Sequence, residues 1–231
     1  MTGRLYLAGV GPGDPELITL KAARVIGEAD VVAYLANGDG YSMARDIART
    51  CIGPRTEHMP IEMVMQSDPV AGQEIYDLAA GLIRAKVAAG KRVTYLCEGD
   101  PLFYGSAVQL LTRLAGKIDI DVIPGVSSVM MSAAAARMPI SVRNDVVRVL
   151  PAPLADELLE AELRLGGFAA IIKVGRHIDR VRDLLERLGL LEGAVIVKDA
   201  SGPKEMVMKL AEFDRGDQAY FSTILCRSVR R

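Results

Sequence analysis

The sequence predicts an α/β protein with largely parallel sheets, arranged as two consecutive lobes. Three observations predict it. Short apolar runs alternate with segments whose apolar residues recur at helical spacing. Several of those runs end in glycine-containing loops, as strands that feed crossover helices do. Pro124-Gly125 then interrupts the alternation near mid-chain, which sets lobes at 1–123 and 124–231.

The elements follow in order. Residues 5–10, Leu-Tyr-Leu-Ala-Gly-Val, form a buried strand that ends in a Gly/Pro loop. Ile18, Ala22, Val25, Ile26 and Ala29 then share one helical face, with Thr19 placed to cap it. A second strand covers 30–35 and is bounded by Asn37-Gly38-Asp39-Gly40. Asp68-Pro69 has the form of a cap with proline at the first helical position. The helix after it groups Ile75, Leu78, Ala79, Leu82 and Ile83 and stops at Gly90. Residues 92–97 form a strand that runs directly into Glu98-Gly99-Asp100-Pro101.

A helix from about 103 to 115 comes next, and Ile118, Ile120 and Val122 alternate with Asp119 and Asp121 as in a half-exposed strand. After Pro124-Gly125, a helix of small residues over 127–138 ends before Pro139. The second lobe carries strands near 146–150, 168–174, 194–199 and 220–226, with helices near 154–165 and 178–188.

Composition excludes several classes. The chain has 231 residues, 50% of them hydrophobic and 25% charged, an ordinary globular make-up that needs no disulfide or metal. Net charge is −1, so the basic footprint of a nucleic-acid binder is missing. No apolar run approaches the roughly 18 residues of a membrane span. The opening Met1-Thr2-Gly3-Arg4 has neither the apolar core nor the cleavage site of a signal peptide. Cys51, Cys97 and Cys226 are an odd number with no C-x-x-C, and His58 and His177 are the only histidines. The expectation is a reduced, cytoplasmic protein with no metal site, no nucleic-acid partner and no membrane partner.

Three segments can carry chemistry. Gly9-Val10-Gly11-Pro12-Gly13-Asp14 sits between a strand and a helix and invites a dinucleotide reading. The G-x-G-x-x-G spacing fails in both frames, because Asp14 and Glu16 stand where the third glycine belongs. The loop is then either a tight turn or a cradle for another ligand. In Glu98-Gly99-Asp100, Gly99 allows close approach to the main chain. Asp100 either caps the next helix or accepts from an ammonium group. Ser127 and Ser128, after Pro124-Gly125, either cap a helix or offer hydroxyls to a ligand.

Taken together and in this order, these segments resemble the tetrapyrrole methylases, a family of S-adenosylmethionine (SAM)-dependent enzymes. The resemblance runs essentially end to end, through GVGPGDPELITLKAARVI, ADVVAY, CEGDPLFYGS, VIPGVSS, IIKVGRH and the closing strand over 220–225. CEGDPLFYGS and KVGRH are most similar to the branch that methylates precorrin-2 at C20. The resemblance implies that family's two-lobed fold, with a largely parallel sheet in 1–123 and a mixed sheet in 124–231. It also implies a homodimer, a tetrapyrrole substrate, and SAM held between the lobes and released as S-adenosylhomocysteine. Position by position, it places the cofactor at Pro12, Glu98, Gly99, Asp100, Phe103, Ser127, Ser128, Val174 and Ala200. Val174 and Ala200 depart from the family in side-chain type, so only backbone roles carry over there.

An aspartate after the second strand is the implied proton acceptor in uroporphyrinogen-III methylases, and Leu35 occupies that position here. This points away from the uroporphyrinogen branch and leaves the base unassigned. Tyr34, Asp39, Tyr41 and Tyr104 are candidates for proton handling. A carboxylated macrocycle needs cations, and Arg45, Arg49, Arg55 and Arg143 are available unless they are simply solvated. As substrate contacts the expectation names Asp14, Tyr41, Arg45 and Tyr104. Met59, Met63 and Met65 either line a lid or fill the core. His177 is expected to start a helix, and His58 gives no signal beyond its position. The rival readings are a C20-methylase for a cobalt-containing macrocycle and a non-catalytic protein that binds SAM or a tetrapyrrole.

Overall fold

A computed structural model describes residues 3–63, 69–214 and 221–228. The chain divides into two compact units, Met1–Ser127 and Ser128–Arg231. Among the described residues no helix is long and apolar enough to cross a membrane.

The first unit contains β1 (Arg4–Gly9), α1 (Leu20–Gly27), β2 (Val31–Ala36), α2 (Met43–Ile47), β3 (Glu57–Glu62), α3 (Pro69–Ala88), β4 (Arg92–Cys97), α4 (Ala107–Leu114) and β5 (Ile120–Ile123). Its five strands run in the order β3-β2-β4-β1-β5, and every pairing is parallel. Parallel neighbours need crossover helices, which cover both faces of the sheet. On one face Leu5, Leu7, Ala33, Tyr95 and Cys97 pack with residues of α3 and α4. On the other, Ala8, Val32, Tyr34 and Leu96 pack with α1 and α2. Burial on both faces is why the strands read as continuous apolar runs.

α1 begins as expected, with Thr19 Oγ1 accepting from the Ala22 amide at 3.2 Å. Asp68, the expected cap of α3, lies outside the described residues, as do Met65 and Tyr220. The helix expected from 103 starts only at Ala107. A Cβ on Gly105 would lie 2.7 Å from the Asp100 carbonyl oxygen and 2.9 Å from Cys97 Sγ. The chain after β4 therefore folds back tightly before it can turn helical. Two elements went unanticipated in this unit. α2 is only five residues long, and β3 is an edge strand that holds Pro60 among polar residues, as edge positions permit.

Two devices fix the ends of this sheet. At the start of the strands, Asp30 donates its amide to the Arg92 carbonyl at 2.9 Å, while its own carbonyl accepts from Glu57 at 3.0 Å. Its carboxylate accepts from the Arg92 amide at 2.8 Å. At the carboxyl ends, Gly11 and Gly99 exchange backbone hydrogen bonds of 3.4 and 2.8 Å. Gly125 closes against both neighbouring loops. A Cβ on Gly9 would lie 2.7 Å from Gly125 Cα, and one on Gly125 would overlap the Gly99 carbonyl oxygen.

The second unit contains α5 (Ser128–Ala135), β6 (Val147–Pro151), α6 (Asp156–Arg164), β7 (Gly167–Ile172), α7 (Ile178–Arg187), β8 (Val195–Lys198), β9 (Met206–Lys209) and β10 (Ser222–Ser228). The order is β6-β7-β10-β8-β9. β6 and β7 are parallel, whereas β10 runs antiparallel to β7 and β8, and β9 antiparallel to β8. The sheet is therefore mixed. β9, a four-residue strand, was not anticipated. α6 and α7 pack on one face around Ile171, Val181, Leu184 and Ile196, and α5 covers the other around Phe168, Ala170 and Leu225. Two arginines of α7 hold loop carbonyls: Arg180 those of Ala152 and Leu154, Arg182 those of Ala211 and Phe213.

The Arg92 amide, and after it the Arg92 side chain, hold the Asp30 carboxyl below the usual carboxylate range. A lowered carboxyl pKa gives stability that is complete above the unfolded value and is lost as pH falls through the folded one. Asp30→Ala is expected to cost about 1 kcal/mol near neutral pH, a figure kept small by solvent screening. Urea titrations of both proteins should show the gap closing as pH drops below the carboxylate range. In a second pair of variants, Gly125→Ala should destabilise by about 2 kcal/mol through overpacking. Gly81→Ala, in mid-α3 with nothing within 4 Å of its Cβ, should instead stabilise by about 0.5–1 kcal/mol.

Candidate functional site

In open parallel sheets, ligands bind beyond the carboxyl ends of the strands. In the first unit that edge is the meeting point of the loops after β1, β4 and β5. Asp100 joins two of them. Its Oδ1 accepts from the Leu102 amide at 2.9 Å and its Oδ2 from the Gly125 amide at 3.0 Å. The carboxylate is therefore a clasp between loops and does not cap α4. Ser106 holds the cap position of α4 without a side-chain cap bond, and its Oγ pairs with the Tyr95 hydroxyl at 2.8 Å. Each Asp100 oxygen keeps a second lone pair for a cationic ligand.

Around this clasp, Pro12 is buried and Gly99 is left-handed at φ +65. Glu98 is half-buried, and burial raises its pKa, opposed by hydrogen bonds from its own amide and that of Ala44. Its carboxylate thus sits at the first turn of α2. Leu102, Phe103 and Tyr104 form an exposed apolar rim, the two rings meeting edge to face at 5.3 Å. Tyr104 lies at φ +56, an outlier for a bulky residue, of the kind that clusters at functional sites. Asp14 accepts from the Glu16 amide at 2.8 Å and so caps the short turn after the first loop. Ser127 is half-buried at the end of this unit, and Ser128 is exposed at the first turn of α5.

The loop from 37 to 45 is organised from within. Asn37 Oδ1 accepts from the amides of Asp39 at 3.2 Å and Tyr41 at 2.8 Å. Arg45 donates to the Gly40 carbonyl at 3.3 Å and to Asp46 at 2.9 and 3.3 Å, with its guanidinium 5.8 Å from the Tyr34 ring centroid. Those bonds commit Arg45 to holding the loop, which leaves Tyr41 exposed at its tip. Arg49, Arg55 and Arg143 are exposed. Met59 is buried in the core with Met63 packed beside it, so the two described methionines fill the interior.

The second unit has a comparable edge. Ile171 of β7 and Ile196 of β8 both pair with Ile224 of β10, so the carboxyl ends of β7 and β8 flank the start of β10. Val174 follows one end and Ala200 the other, and both are buried. Their neighbours Lys173, Asp199 and Ser201 are left-handed at φ +56, +49 and +62. Ser222 lies between the two ends, 7% exposed, and its Oγ has no hydrogen-bond partner among the described residues. Sequence reasoning missed Ser222, because a serine in an apolar strand gives no signal of its own. It missed the setting of His58 as well, whose Nδ1 lies 3.2 Å from the Tyr34 hydroxyl. His177 precedes α7, and burial, then Arg180 and Arg176, lower its pKa.

The family of Tetrapyrrole (Corrin/Porphyrin) Methylases matches residues 4–214. The cobalamin biosynthesis protein CobIJ of Mycobacterium bovis is 40% identical over 99% of this chain and 47% of its own length. The chain therefore spans about half the length of that relative. The precorrin-2 C(20)-methyltransferase of a Sinorhizobium species is 35% identical over 96% of this chain and 94% of its own. The cobalt-precorrin-2 C(20)-methyltransferase of Salmonella typhimurium is 31% identical over 97% and 96%. Among solved structures, a cobalt precorrin-4 methyltransferase superposes with a TM-score of 0.78 at 24% identity, covering 97% of this chain and 94% of that one, a likeness of fold. The uroporphyrin-III C-methyltransferase of Thermus thermophilus, solved with S-adenosylhomocysteine, gives 0.69 at 27% identity over 96% of this chain and 97% of its own. With a family match over nearly the whole sequence and a relative this similar end to end, the chain belongs to the tetrapyrrole methylases.

Proposed function

We propose that the chain is a SAM-dependent C-methyltransferase that methylates precorrin-2 at C20, giving precorrin-3A, in cobalamin biosynthesis. The observation that carries the reading is the platform at Gly11, Gly99, Asp100 and Gly125. There, three loops meet main chain to main chain at glycines, and the Asp100 carboxylate joins two of them. Such a surface suits a ligand that lies against backbone and presents an ammonium group to Asp100. SAM is such a ligand, and the Thermus relative was solved with its demethylated product. The names of the Sinorhizobium and Salmonella relatives support C20 as the position methylated.

When bound, SAM supplies a methyl group already activated on a sulfonium. The protein's task is then alignment, and rigid loops serve it well. Asp100 orients the donor and Gly99 lets it close on the main chain. Pro12, Glu98, Phe103, Ser127 and Ser128 complete its surroundings in this reading, and Val174 and Ala200 contribute backbone groups. The Ser222 hydroxyl, unpartnered among the described residues and lying between the last two along its own sheet edge, supports a polar ligand group there. Asp14, Tyr41 and Tyr104 are the proposed contacts to the macrocycle, and Arg45 acts by holding the loop that presents Tyr41. On the resemblance alone, the same reading makes the protein a cytoplasmic homodimer.

Calorimetry with S-adenosylhomocysteine tests the cofactor. Wild type should bind in the micromolar range, about −8 kcal/mol, and Asp100→Ala at least about tenfold more weakly. A wild type that does not bind would sink the assignment. Incubation with SAM and macrocycle should then add one methyl by mass, placed at C20 by NMR. Parallel reactions with metal-free and cobalt-loaded macrocycle distinguish the two C20 substrates, and binding without any mass gain would leave a non-catalytic SAM protein.

A further inference from the structure

We propose that the outer face of α3 is the surface on which two copies of this chain meet, each α3 lying antiparallel against its twin. The proposal rests on the homodimer reading above, names where the copies touch, and is independent of the cofactor. α3 is apolar on both of its sides. Tyr76, Ala79, Ala80, Ile83 and Val87 are buried in the cluster that packs on the sheet. Leu78 and Leu82, on the opposite side, are 71% and 56% exposed. A single exposed leucine is ordinary on a protein surface. A helix that is apolar all round is one whose outer face gets covered as well.

The order of side chains around the helix says what covers it. Successive residues turn by about 100°. With Gly81 at the centre of the outer face, Leu78 and Leu82 fall to one side, and Asp77 and Arg84 to the other. Ala85 stands between them, one turn beyond Gly81. All six are exposed, and nothing lies within 4 Å of a Cβ built on Gly81. The face is therefore a seam of small residues with an apolar margin and a charged margin, and the charged margin carries both signs.

Such a face is complementary to itself. Twofold axes close most homodimers and set the same patch on both sides of the contact. An axis through Gly81 and perpendicular to the helix runs the two copies antiparallel and keeps each margin against its own kind. Leu82 then lies between the partner's Leu78 and the partner's Leu82, about 3 Å along the helix from each. Arg84, three residues past the axis, comes level with the partner's Asp77 to within about 1.5 Å. At the centre glycine meets glycine, and the two backbones can approach closely. A parallel pair would exchange the margins and set leucine against charge.

The charged margin is prepared for this contact. Arg84 has no hydrogen bond or ion pair among the described residues. Asp77 accepts from Arg113 Nε through Oδ1 at 2.6 Å, yet its side chain remains 67% exposed. Arg113 is itself held by the side chains of Gln73 and Gln109. Asp77 is thus a fixed acceptor with a second oxygen to offer, which lowers the ordering cost of a new pair. Two Arg84–Asp77 pairs, one at each end of the leucine contact, fix the register.

Analytical ultracentrifugation and site-directed cross-linking of the full chain test the surface. Wild type should sediment as a dimer. Leu82→Glu should weaken association at least about a hundredfold, because the twofold axis buries two unpaired carboxylates at one seam. Arg84→Glu should weaken it about tenfold at low salt and less at about 0.5 M salt, where the new repulsion is screened. Circular dichroism checks that both variants keep the fold, and the cross-links decide the register even where one of them does not. In a Cys51→Ser background only the buried Cys97 and Cys226 remain. A short bis-maleimide should then join Gly81→Cys to its twin, and Glu74→Cys to co-expressed Ala88→Cys. It should not join Glu74→Cys to itself, since the axis holds those two positions about 20 Å apart. A wild type that stays monomeric at about 100 μM overturns the surface and the homodimer reading together. A dimer that a folded Leu82→Glu leaves intact overturns the surface alone, as does a self-linked Glu74→Cys or a mixed pair that fails to link. S-adenosylhomocysteine calorimetry on the same wild-type sample reports on the cofactor separately.

Discussion

The first unit depends on main chain packed against main chain at the ends of β1, β4 and β5. Gly9, Gly99 and Gly125 approach so closely that a single methyl group at Gly9 or Gly125 would collide with a neighbouring backbone atom. This closeness lets Gly11 and Gly99 bridge two loops and brings the Gly125 amide onto Asp100. Loops held this way owe their rigidity to the sheet beneath them and not to their own side chains. A reaction that asks mainly for alignment needs a surface of that kind. The exposed rim of Leu102, Phe103 and Tyr104 follows from the same fold-back, because the chain cannot become helical until it has cleared Gly105.

The two units solve the strand-end problem differently. In the first, glycine takes the left-handed positions at Gly11 and Gly99. In the second, Lys173, Asp199 and Ser201 take them with full side chains. Each such residue costs of order 1 kcal/mol and persists only where its surroundings enforce it. The enforcement is visible: the Asp199 amide is held by the Phe221 carbonyl at 2.8 Å, and the Ser201 amide by Glu205 at 2.6 Å. Glycine in the first unit serves close approach of backbone to backbone. In the second, the same backbone shape turns the chain sharply at the sheet edge where Val174, Ala200 and Ser222 gather.

What could be read from the sequence follows from how local the physics is. The strands β1, β2 and β4 were legible because burial on both faces writes them as continuous apolar runs. Thr19 was legible because a cap bond spans three residues. β3 was hidden by Pro60 and by polar Glu57, His58 and Glu62, which an edge strand tolerates. The start of α4 was misplaced because Asp100 looked like a cap, while its second partner, Gly125, is 25 residues away. Long-range pairing likewise hid the settings of Tyr34 and Ser222. Tyr34 meets His58 across 24 residues, and the Ser222 hydroxyl is left without a partner among the described residues only once β7, β8 and β10 are assembled. Gly99 and Asp100 could be singled out because a strand-to-glycine transition marks a ligand edge whatever the ligand is.

Arg45 shows how structure reassigns a residue that sequence can only nominate. As an arginine in a glycine-bounded loop it suits the carboxylates of a macrocycle, and its donors would give bidentate contact. In the folded chain those donors are spent on Asp46 and on the Gly40 carbonyl. Turning outward would break the bonds that organise the loop carrying Tyr41 and would withdraw the guanidinium from the Tyr34 ring. Arg49, Arg55 and Arg143, by contrast, are exposed, and none of them has an ion-pair partner among the described residues. Solvated arginines keep their donors free until a ligand arrives, and their attraction is longer in range than a committed pair can offer. Arg45, already neutralised by Asp46, keeps the loop in place.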